Sequence, residues 1–423
     1  MSSIRSSASP QARSSARALQ MRLALPLIAA GAAVSAAAWW SDPRLLAFSW
    51  LLGFSFVWVV ALGALFYVAL HHLTRAVWSV VYLRLIELLA ALAPLAAIAF
   101  LPLLAWGEWI YPWLDSGALK ADPVLAHKAA YLNWPFFVTR AAIYFTVWIV
   151  FALCFLRLSA LRSAAPSPEL ESGALPAPTA RLRRLSAPFM LLFALTVTFA
   201  SIDWLMSLTP GWYSTIFGVY VFAGMAVSAL AALVLLALWL AQRGAGPLEM
   251  ADGSHLYNLG ALMFAFSCFW GYVAMSQYLL IWAANLPEET LWYAVRQRGA
   301  WPAVGVALIV TRFAGSFALL LSRRGKTCRR TLTFTSLLVL AGQLVDLHWI
   351  IMPQALMPAD ASHAGADALH AAGALRAFCW HEIGPVLLMI GMSLAWVSWL
   401  MRRYGTAAES DPHFDDSRRF RLQ

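Results

Sequence analysis

Residues 49–70 read SWLLGFSFVWVVALGALFYVAL, an apolar run with no charged side chain. A helix needs roughly 20 mostly apolar residues to cross a bilayer, so this run alone is long enough. Its apolar residues are continuous and do not alternate with period two, which favours a helix over a strand of a membrane barrel. The stretch therefore predicts a transmembrane helix, and it indicates that the bilayer is the solvent of this chain.

The same pattern recurs along the chain, in which 61% of the 423 residues are hydrophobic, 12% are charged and the mean hydropathy is +0.70. Such a composition lies outside the range of soluble domains. The apolar runs predict about ten transmembrane helices, at roughly 21–40, 45–70, 76–105, 136–157, 185–207, 214–241, 255–284, 301–322, 331–353 and 380–401. The predicted fold class is an all-α polytopic membrane protein, with tails at 1–20 and 403–423 that flank a transmembrane domain at 21–402.

The basic residues decide the orientation, because positively charged loops stay on the cytoplasmic side of a membrane. With both termini inside, 21 of the 30 lysines and arginines fall in cytoplasmic segments and 7, including Arg140, in outer segments. The tails and the segment 163–180, which contains Ser, Pro and Ala, are then predicted to be cytoplasmic. Scattered loop arginines explain the net charge of +10 through membrane topology, so no nucleic-acid partner is expected.

Cofactor motifs are missing from the sequence. Its four cysteines are isolated from one another, so no CxxC or CxxCH motif exists, and covalent haem, iron–sulfur clusters and other metal sites are not expected. Noncovalent haem needs facing histidines, for which only His348 and His381 come close, and the sequence disfavours it. The chain also lacks a Walker A lysine loop, a dinucleotide glycine fingerprint and a nucleophile elbow, so no catalytic residue is assigned.

Ionisable residues inside apolar helices are costly there, which makes them functional candidates. Arg84 and Glu87 stand three residues apart on the third predicted helix, hence on one face, and can neutralise each other. They form either an inner proton-entry element or a structural ion pair. Arg312 on the eighth helix is a further proton-path candidate. It has no acidic residue within one turn, so it needs a partner from another helix, a water-filled cavity or a quinone carbonyl.

A second group of polar residues gathers toward the outer ends of several predicted helices. Its members are Asp203, Gln277, Tyr278, Asp346, His348, His381 and Glu382. Carboxylates, imidazoles and phenols can receive or relay protons, and a quinol releases two protons when it is oxidised. The group is interpreted as a proton exit, with a quinone site near Asp203, Gln277 and His348, or else as polar groups tolerated at helix ends close to water.

Four stretches carry a resemblance to a known family: LHHLTRAVWSVVYLRLIE (70–87), HKAAYLNWPFFVTRAAIYF (127–145), SIDWLMSLTPGWYSTIFGVYVFAG (201–224) and SQYLLIWAANLPEETLWY (276–293). They resemble the ActF subunit of bacterial alternative complex III, a quinol:cytochrome c oxidoreductase, within the NrfD-like (PsrC-like) membrane proteins. The similarity spans roughly residues 45–400. Gly211 stands where the family often has a histidine.

The resemblance implies two four-helix bundles, bundle one at about 45–207 and bundle two at about 214–353, with the first and tenth helices peripheral. It implies a complex in the bacterial inner membrane with a sister NrfD-like quinol-binding subunit, an iron–sulfur protein and c-type cytochromes. Haem c and the iron–sulfur clusters would belong to those partners, and this chain would contribute to proton translocation.

Two features of the function stay open in this interpretation. Quinone binding to this chain, as menaquinone or ubiquinone, is a secondary expectation, and the chain is expected to be a subunit of an enzyme and not its electron-carrying part. The alternatives are a quinol-binding redox subunit of another respiratory complex and a secondary transporter. The absence of a Gly/Pro-interrupted helix pair counts against the transporter.

Overall fold

The computed structural model describes residues 10–115, 117, 123–162, 177–244, 253–357, 378–409 and 411–421. Within these residues ten helices are long and apolar enough to cross a membrane, and there is no strand. The helices are α1 (Pro10–Ser41), α2 (Pro43–Thr74), α3 (Val77–Ala105), α4 (Trp134–Arg162), α5 (Ala177–Trp204), α6 (Phe217–Ala241), α7 (Gly253–Ala284), α8 (Trp301–Leu320), α9 (Arg329–Leu356) and α10 (Ile383–Tyr404). The predicted all-α polytopic membrane fold is confirmed.

Most helix ends lie within a few residues of the predicted ones, and two starts differ more. α1 begins at Pro10, within the predicted N-terminal tail, and α5 begins at Ala177, within the predicted loop 163–180. Both extensions contain alanine and arginine, which favour a helix even where the apolar run has ended. The prediction relied on apolar runs alone and therefore placed both starts too late. Residues 163–176 lie outside the described part of the chain.

The helices α2 and α6 form the centre of the molecule. The apolar span of α2 is buried along its whole length, and α2 packs against α3, α5, α6, α9 and α10. A Cβ atom on Gly63 would lie 2.1 Å from the backbone oxygen of Met225, so α2 and α6 approach more closely than any larger residue allows. This contact is the seam between the two halves of the molecule.

The remaining helices pack in two groups around this seam. Bundle one is α2–α5, in which α3 and α5 pack on α2 and α4 packs on α3 and α5. Bundle two is α6–α9, in which α7 and α9 pack on α6 and α8 packs on α7 and α9. Outside the bundles, α1 packs along α10, and both contact α2. Small residues allow that outer contact, because a Cβ on Gly31 would lie 2.4 Å from the Leu388 nitrogen.

One helix of bundle one is interrupted near its middle. α3 consists of a short 3₁₀ turn, a helix at Val80–Ala90 and a second helix at Ala93–Ala105. Pro94 lacks the N–H that an uninterrupted helix needs, which accounts for the break. At this break the backbone oxygen of Ala91 accepts a hydrogen bond from Trp396 Nε1 of α10 at 2.8 Å. The break therefore ties the peripheral α10 to bundle one.

The predicted C-terminal tail is partly folded onto the membrane domain. A short helix, Phe414–Arg419, packs against the start of α3. The Ser417 hydroxyl donates to the backbone oxygen of Trp78 at 3.0 Å, and a ring nitrogen of His255 on α7 lies 2.8 Å from the Ser417 oxygen. The tail thus bridges the two bundles at the end where both termini lie.

Candidate functional site

Arg312 lies in the middle of α8, where the helix is locally widened. Residues Val310–Ala314 form a π-helical turn. Such turns insert one extra residue into the hydrogen-bond ladder and are frequent at functional sites. The Arg312 side chain is 1% exposed and contacts residues of α6, α7 and α9. Arg312 is therefore a buried cation at an irregular point of a membrane helix.

Asp346 of α9 is the acidic partner of Arg312. The Nη2 atom of Arg312 lies 3.7 Å from Oδ2 of Asp346, and the hydroxyl of Tyr220 on α6 donates a hydrogen bond to Oδ1 of Asp346. The guanidinium also lies 4.9 Å from the centre of the Trp270 ring on α7, a cation–π contact. Every helix of bundle two contributes to this group. Of the three possibilities left open for Arg312, the structure contains a partner from another helix.

A second shell of polar atoms lies beside the guanidinium. Ser228 donates to Oε1 of Gln343 at 2.9 Å, and the Ser228 hydroxyl accepts from Nη1 of Arg312 at 3.5 Å. Two glycines provide the space, since a Cβ on Gly224 or Gly342 would lie 2.9 Å or 2.8 Å from the Arg312 side chain. The Nε and Nη2 atoms of Arg312 have no hydrogen-bond partner among the described residues. Arg312 is therefore held between acceptors and is not saturated by any of them.

Buried hydroxyl groups continue the polar interior of bundle two from Arg312 toward the end where the termini lie. Four of them are wholly buried: Ser267, Ser316, Thr335 and Ser336. Beyond them Lys326, in the short helix Arg323–Thr327, donates to the Leu321 oxygen at 3.1 Å, and its Nζ lies 4.6 Å from the Phe264 ring. Polar groups are therefore present between Asp346 and this end of bundle two.

The opposite end of bundle two carries a short hydrogen-bonded chain. Ser214 donates to Oε1 of Gln277 at 3.1 Å, and Nε2 of Gln277 donates to the Tyr293 hydroxyl at 3.1 Å. Burial raises the pKa of Tyr293 to about 12, so this phenol is protonated at neutral pH. Burial lowers the pKa of Arg296 to about 9, against the charge effects of Tyr293 and Tyr220. Aromatic rings connect this chain to Tyr220, since Trp292 stacks on Trp212, and Phe217, which contacts Trp212, stacks on Tyr220.

Bundle one contains a matching ion pair. Nε and Nη2 of Arg140 on α4 donate to the two carboxylate oxygens of Asp203 on α5, at 2.8 and 2.9 Å. The Tyr144 hydroxyl donates to Asp203 at 2.9 Å, and the guanidinium lies over the rings of Tyr131 and Phe136 at 3.9 and 4.2 Å. Arg140 was counted with the outer segments in the sequence analysis. In the structure it is a buried helical residue, 6% exposed.

A sequence repeat underlies the two pairs. α4 and α8 both begin with Trp-Pro and both contain Val-Thr-Arg, at 138–140 and 310–312. The aspartates of α5 and α9 each precede a proline by seven residues. In each bundle the arginine is on the third helix and the aspartate on the fourth. This repeat was the signal that could have identified Arg140 from the sequence.

The interiors beneath the two pairs differ. In bundle one, aromatic rings with centroids 4.8 to 6.4 Å apart fill the space: Phe54, Trp58, Phe100, Phe145, Trp148 and Trp204. Nε1 of Trp148 donates to the Thr196 hydroxyl at 2.9 Å. Bundle one also has wholly buried hydroxyls, among them Ser55, Ser186 and Ser201, but beside Asp203 the space is occupied by packed rings.

The remaining predicted pair is on α3. Nη1 of Arg84 donates to Oε2 of Glu87 at 3.0 Å, and both side chains are buried to within 1%. The prediction that these two residues neutralise each other is confirmed. Their role as a proton-entry element stays a prediction.

The residues predicted as one outer cluster are divided among separate contacts. His348 lies 2.7 Å from Glu382 through Nδ1 and stacks on Trp301 with a centroid distance of 5.1 Å. A ring nitrogen of His381 lies 2.9 Å from the Cys379 sulfur. The ring of Tyr278 packs against that of Tyr293, 5.2 Å away. The His348–Glu382 contact joins α9 to the residue just before α10, and the Tyr278 contact lies near the end of α7. None of these contacts includes a residue of the two arginine–aspartate pairs.

The predicted quinone site is not assembled as expected. Asp203 is bound to Arg140 in bundle one, while Gln277 and His348 have different partners in bundle two. Two cavities of about 130 and 750 Å³ open at this end of the molecule, and none of the three residues lines either. Gly211 lines both, and a Cβ there would meet nothing within 4 Å, so the family's histidine would have room.

No model of a known protein family matches this chain, and no curated protein matches it. The class of protein therefore rests on the fold and the site. It is a multi-pass helical membrane protein with a buried arginine–aspartate pair at equivalent positions of two four-helix bundles.

Proposed function

We propose that this protein is a proton-conducting membrane subunit of a quinol-oxidising respiratory complex, and that its bundle two carries the protons. The observation that supports this proposal is Asp346, a buried carboxylate in contact with Arg312 and Tyr220. A carboxylate deep in a membrane is expensive, and such residues mark proton relays. Asp346 is the group that gains and releases the proton.

The depth of the pair suits this role. At 1.5 Å per residue, Asp346 lies about 15 Å from the end of α9 at Leu356, and Arg312 about 17 Å from the start of α8 at Trp301. The hydrocarbon core of a bilayer is about 30 Å thick, so both groups are near its middle. A proton bound to Asp346 has crossed about half of the membrane.

In this proposal, the position of the Arg312 guanidinium depends on the charge of Asp346. Its guanidinium lies 3.7 Å from the carboxylate on one side and 3.5 Å from the Ser228 hydroxyl on the other. An ionised Asp346 attracts the guanidinium, and a protonated Asp346 releases it toward Ser228 and Gln343. The Nε and Nη2 atoms of Arg312, which have no hydrogen-bond partner among the described residues, keep both positions accessible. This movement gives the relay two states.

Polar groups on either side of Asp346 provide the two half-paths. The outer one contains Tyr220 and the chain of Tyr293, Gln277 and Ser214. The inner one contains the buried hydroxyls and ends near Lys326. Hydroxyls are suitable partners for bridging water molecules, which complete a proton path between them.

The resemblance to the ActF subunit of alternative complex III supplies the surrounding complex in this proposal. Electrons from the quinol pass through a sister NrfD-like subunit, an iron–sulfur protein and c-type cytochromes in a bacterial inner membrane. The isolated cysteines of this chain agree with haem c and iron–sulfur clusters in those partners.

Quinol oxidation is assigned to the sister subunit, because the candidate residues here do not fit a quinone. A quinol needs a proton acceptor that faces its binding cavity. The apolar cavity of about 470 Å³ between α2, α6, α9 and α10 has no ionisable residue in its lining. In this proposal menaquinone or ubiquinone is a substrate of the complex, and its oxidation does not take place on this chain.

The structure has interrupted helices, which favour the transporter alternative, but they are not at corresponding positions of the two bundles. Contrary to the sequence interpretation, α3 is interrupted near Pro94 and α8 contains a π turn. These are the second helix of bundle one and the third of bundle two, whereas repeat-built transporters interrupt corresponding helices. The respiratory role therefore remains the better-supported function.

The first test is affinity purification of the full chain in mild detergent, with an optical spectrum and quinol:cytochrome c activity of the eluate. Co-eluting c-type haem with quinol oxidation is expected. A colourless single-subunit eluate that takes up a defined solute in proteoliposomes would overturn the proposal in favour of a transporter.

The second test measures proton translocation by the reconstituted complex with a pH dye inside the vesicles. Asp346→Asn is expected to lower translocation about a hundredfold, the contribution typical of a proton-transferring side chain, while uncoupled electron transfer continues. The matched control is Asp203→Asn, the same change at the equivalent position of bundle one. Unchanged translocation in Asp346→Asn, or an equal loss per folded complex in both variants, would contradict a path through bundle two.

A further inference from the structure

An apolar groove opens toward the lipid-facing surface between α1, α2, α3, α6, α9 and α10. Its volume is about 470 Å³, and its lining contains no acidic or basic side chain. Leu337 on one wall is 54% exposed, and Leu23 at the mouth is 48% exposed, so the groove is open at the side of the molecule. Surfaces of this kind in a membrane protein face acyl chains.

The groove has the depth of one lipid leaflet. Its mouth includes Gln242, directly after the end of α6, and Thr333, in the first turns of α9. Along α6 the lining extends from Gln242 at the mouth to Ala232, ten residues or about 15 Å deeper at 1.5 Å per residue. Half of the hydrocarbon core is about 15 Å thick, so the groove runs from the membrane surface to its middle.

Three arginines are next to, or in contact with, residues that line the groove. The guanidinium of Arg243 lies 4.3 Å over the ring of Trp239, a lining residue, and Nη1 donates to the Trp239 oxygen at 3.3 Å. The backbone oxygen of Arg329 accepts from the hydroxyl of the lining residue Thr333 at 2.9 Å. Arg22 directly precedes Leu23, and the side chains of Arg22 and Arg329 are exposed. Three cations therefore stand at the height of lipid head groups.

We infer that this groove is a binding site for an anionic phospholipid. The phosphate lies among Arg22, Arg243 and Arg329, and one acyl chain runs down the groove along Trp239 and Leu337. Basic pockets between helices at a membrane surface bind anionic head groups, and each arginine near such a surface strengthens binding. The acyl chain supplies the apolar part of the contact. This site is independent of the proton path and of the proposed complex.

The head-group test uses the full chain in nanodiscs of phosphatidylcholine with increasing fractions of phosphatidylglycerol. Phosphatidylglycerol is expected to raise the unfolding temperature and to be retained on the protein in native mass spectrometry. The double variant Arg243→Gln, Arg329→Gln is expected to bind it about 25-fold more weakly, about fivefold for each arginine.

The matched control removes two exposed arginines at the same end of the molecule but outside the groove, with Arg323→Gln and Arg324→Gln. It is expected to retain phosphatidylglycerol as the unchanged protein does. An equal loss in both double variants, or equal retention of phosphatidylcholine and phosphatidylglycerol, would overturn the assignment.

The acyl-chain test uses phosphatidylglycerol with a photoreactive acyl chain. Leu337→Trp fills the groove and is expected to abolish labelling of α9 and α10, whereas Phe334→Trp is expected to preserve it. Phe334 is a suitable control because it is 58% exposed on the same helix and does not line the groove. Equal labelling of the two variants, or a quinone retained in the groove in place of the lipid, would contradict the inference.

Discussion

Bundle one and bundle two carry the same ion pair at equivalent positions and surround it differently. In bundle one, Arg140 grips both oxygens of Asp203 at 2.8 and 2.9 Å. In bundle two, Arg312 approaches Asp346 only to 3.7 Å and keeps two nitrogens without a hydrogen-bond partner among the described residues. The comparison teaches that an arginine–aspartate pair in a membrane has no fixed role, because its surroundings decide what it does.

The physical difference lies in the completeness of each network. A two-pronged arginine–carboxylate contact is strong and directional, and a fully bonded buried network rigidifies its surroundings. Packed aromatic rings beneath Asp203 add to that rigidity. The looser pair in bundle two lies on a π turn among hydroxyls, where a proton can change the geometry. Under the proposed function, bundle one therefore stabilises the structure and bundle two responds to the proton.

The largest expected effect on stability comes from removal of the Arg140–Asp203 ion pair of bundle one. Asp203→Ala leaves the Arg140 charge buried without its partner, which costs about 3–5 kcal/mol of the free energy of unfolding. Asp346→Asn keeps an oxygen for the Tyr220 hydroxyl and loses a longer ion pair, so we expect a smaller cost. Denaturant unfolding in detergent micelles measures both. A greater loss in Asp346→Asn would reverse the assignment of the two bundles.

The seam between the bundles gives the next effect. Gly63→Ala places a Cβ 2.1 Å from the Met225 backbone oxygen, which cannot move away without shifting α6. Overpacking of this kind costs about 1–3 kcal/mol of stability. The control is Gly305→Ala on α8, where a Cβ meets nothing within 4 Å and the helix gains up to about 1 kcal/mol. Thermal unfolding of both variants is the measurement, and equal melting temperatures would refute the close seam.

Gly224→Ala disturbs the Arg312–Asp346 pair of bundle two. It is expected to lower the free energy of unfolding by less, about 1 kcal/mol. Its Cβ would lie 2.9 Å from Nη2 of Arg312 and 3.0 Å from Oε1 of Gln343, and both are ends of flexible side chains that can yield. The displaced guanidinium should nevertheless slow proton translocation about tenfold. Translocation and unfolding are measured on the same preparation. A variant that loses stability but keeps its translocation rate would place the proton path elsewhere.

The smallest effect compares single hydrogen bonds in the two interiors. Thr196→Val removes the acceptor of the Trp148 indole and should cost about 1 kcal/mol without any change in proton translocation. Ser228→Ala removes a comparable bond to Gln343 and should slow translocation. Each variant is the control of the other. Slower translocation in Thr196→Val would show that the aromatic interior also conducts.

The helices could be predicted closely where their apolar runs coincide with them. α3 was predicted at 76–105 and is found at Val77–Ala105, because a membrane span shows itself in local hydropathy. The starts at Pro10 and Ala177 were missed because the first turns of these helices are polar. They are helical by residue propensity and through the neighbouring structure, which hydropathy does not measure. The break of α3 was also missed, although Pro94 marks it.

The site was predicted in part. Arg312 and Asp346 were both selected, as buried charges, but they were assigned to different groups because they are on different helices and 34 residues apart in the chain. Arg140 was passed over because it stands near a predicted helix end, where an arginine reaches water easily. Its burial follows from the aromatic rings of the folded outer segment, which no count of charges contains.

The sequence by itself determined that this is an all-α membrane protein and which residues are costly in the bilayer, because hydropathy and charge are local properties of the chain. Only the tertiary structure decided which charges meet. A helical side chain turns about 100° with each residue, so pairing depends on the rotation and depth at which two helices pack. That packing made Asp203 a partner of Arg140 and Asp346 a partner of Arg312, and it placed aromatic rings beside the first pair and hydroxyls beside the second.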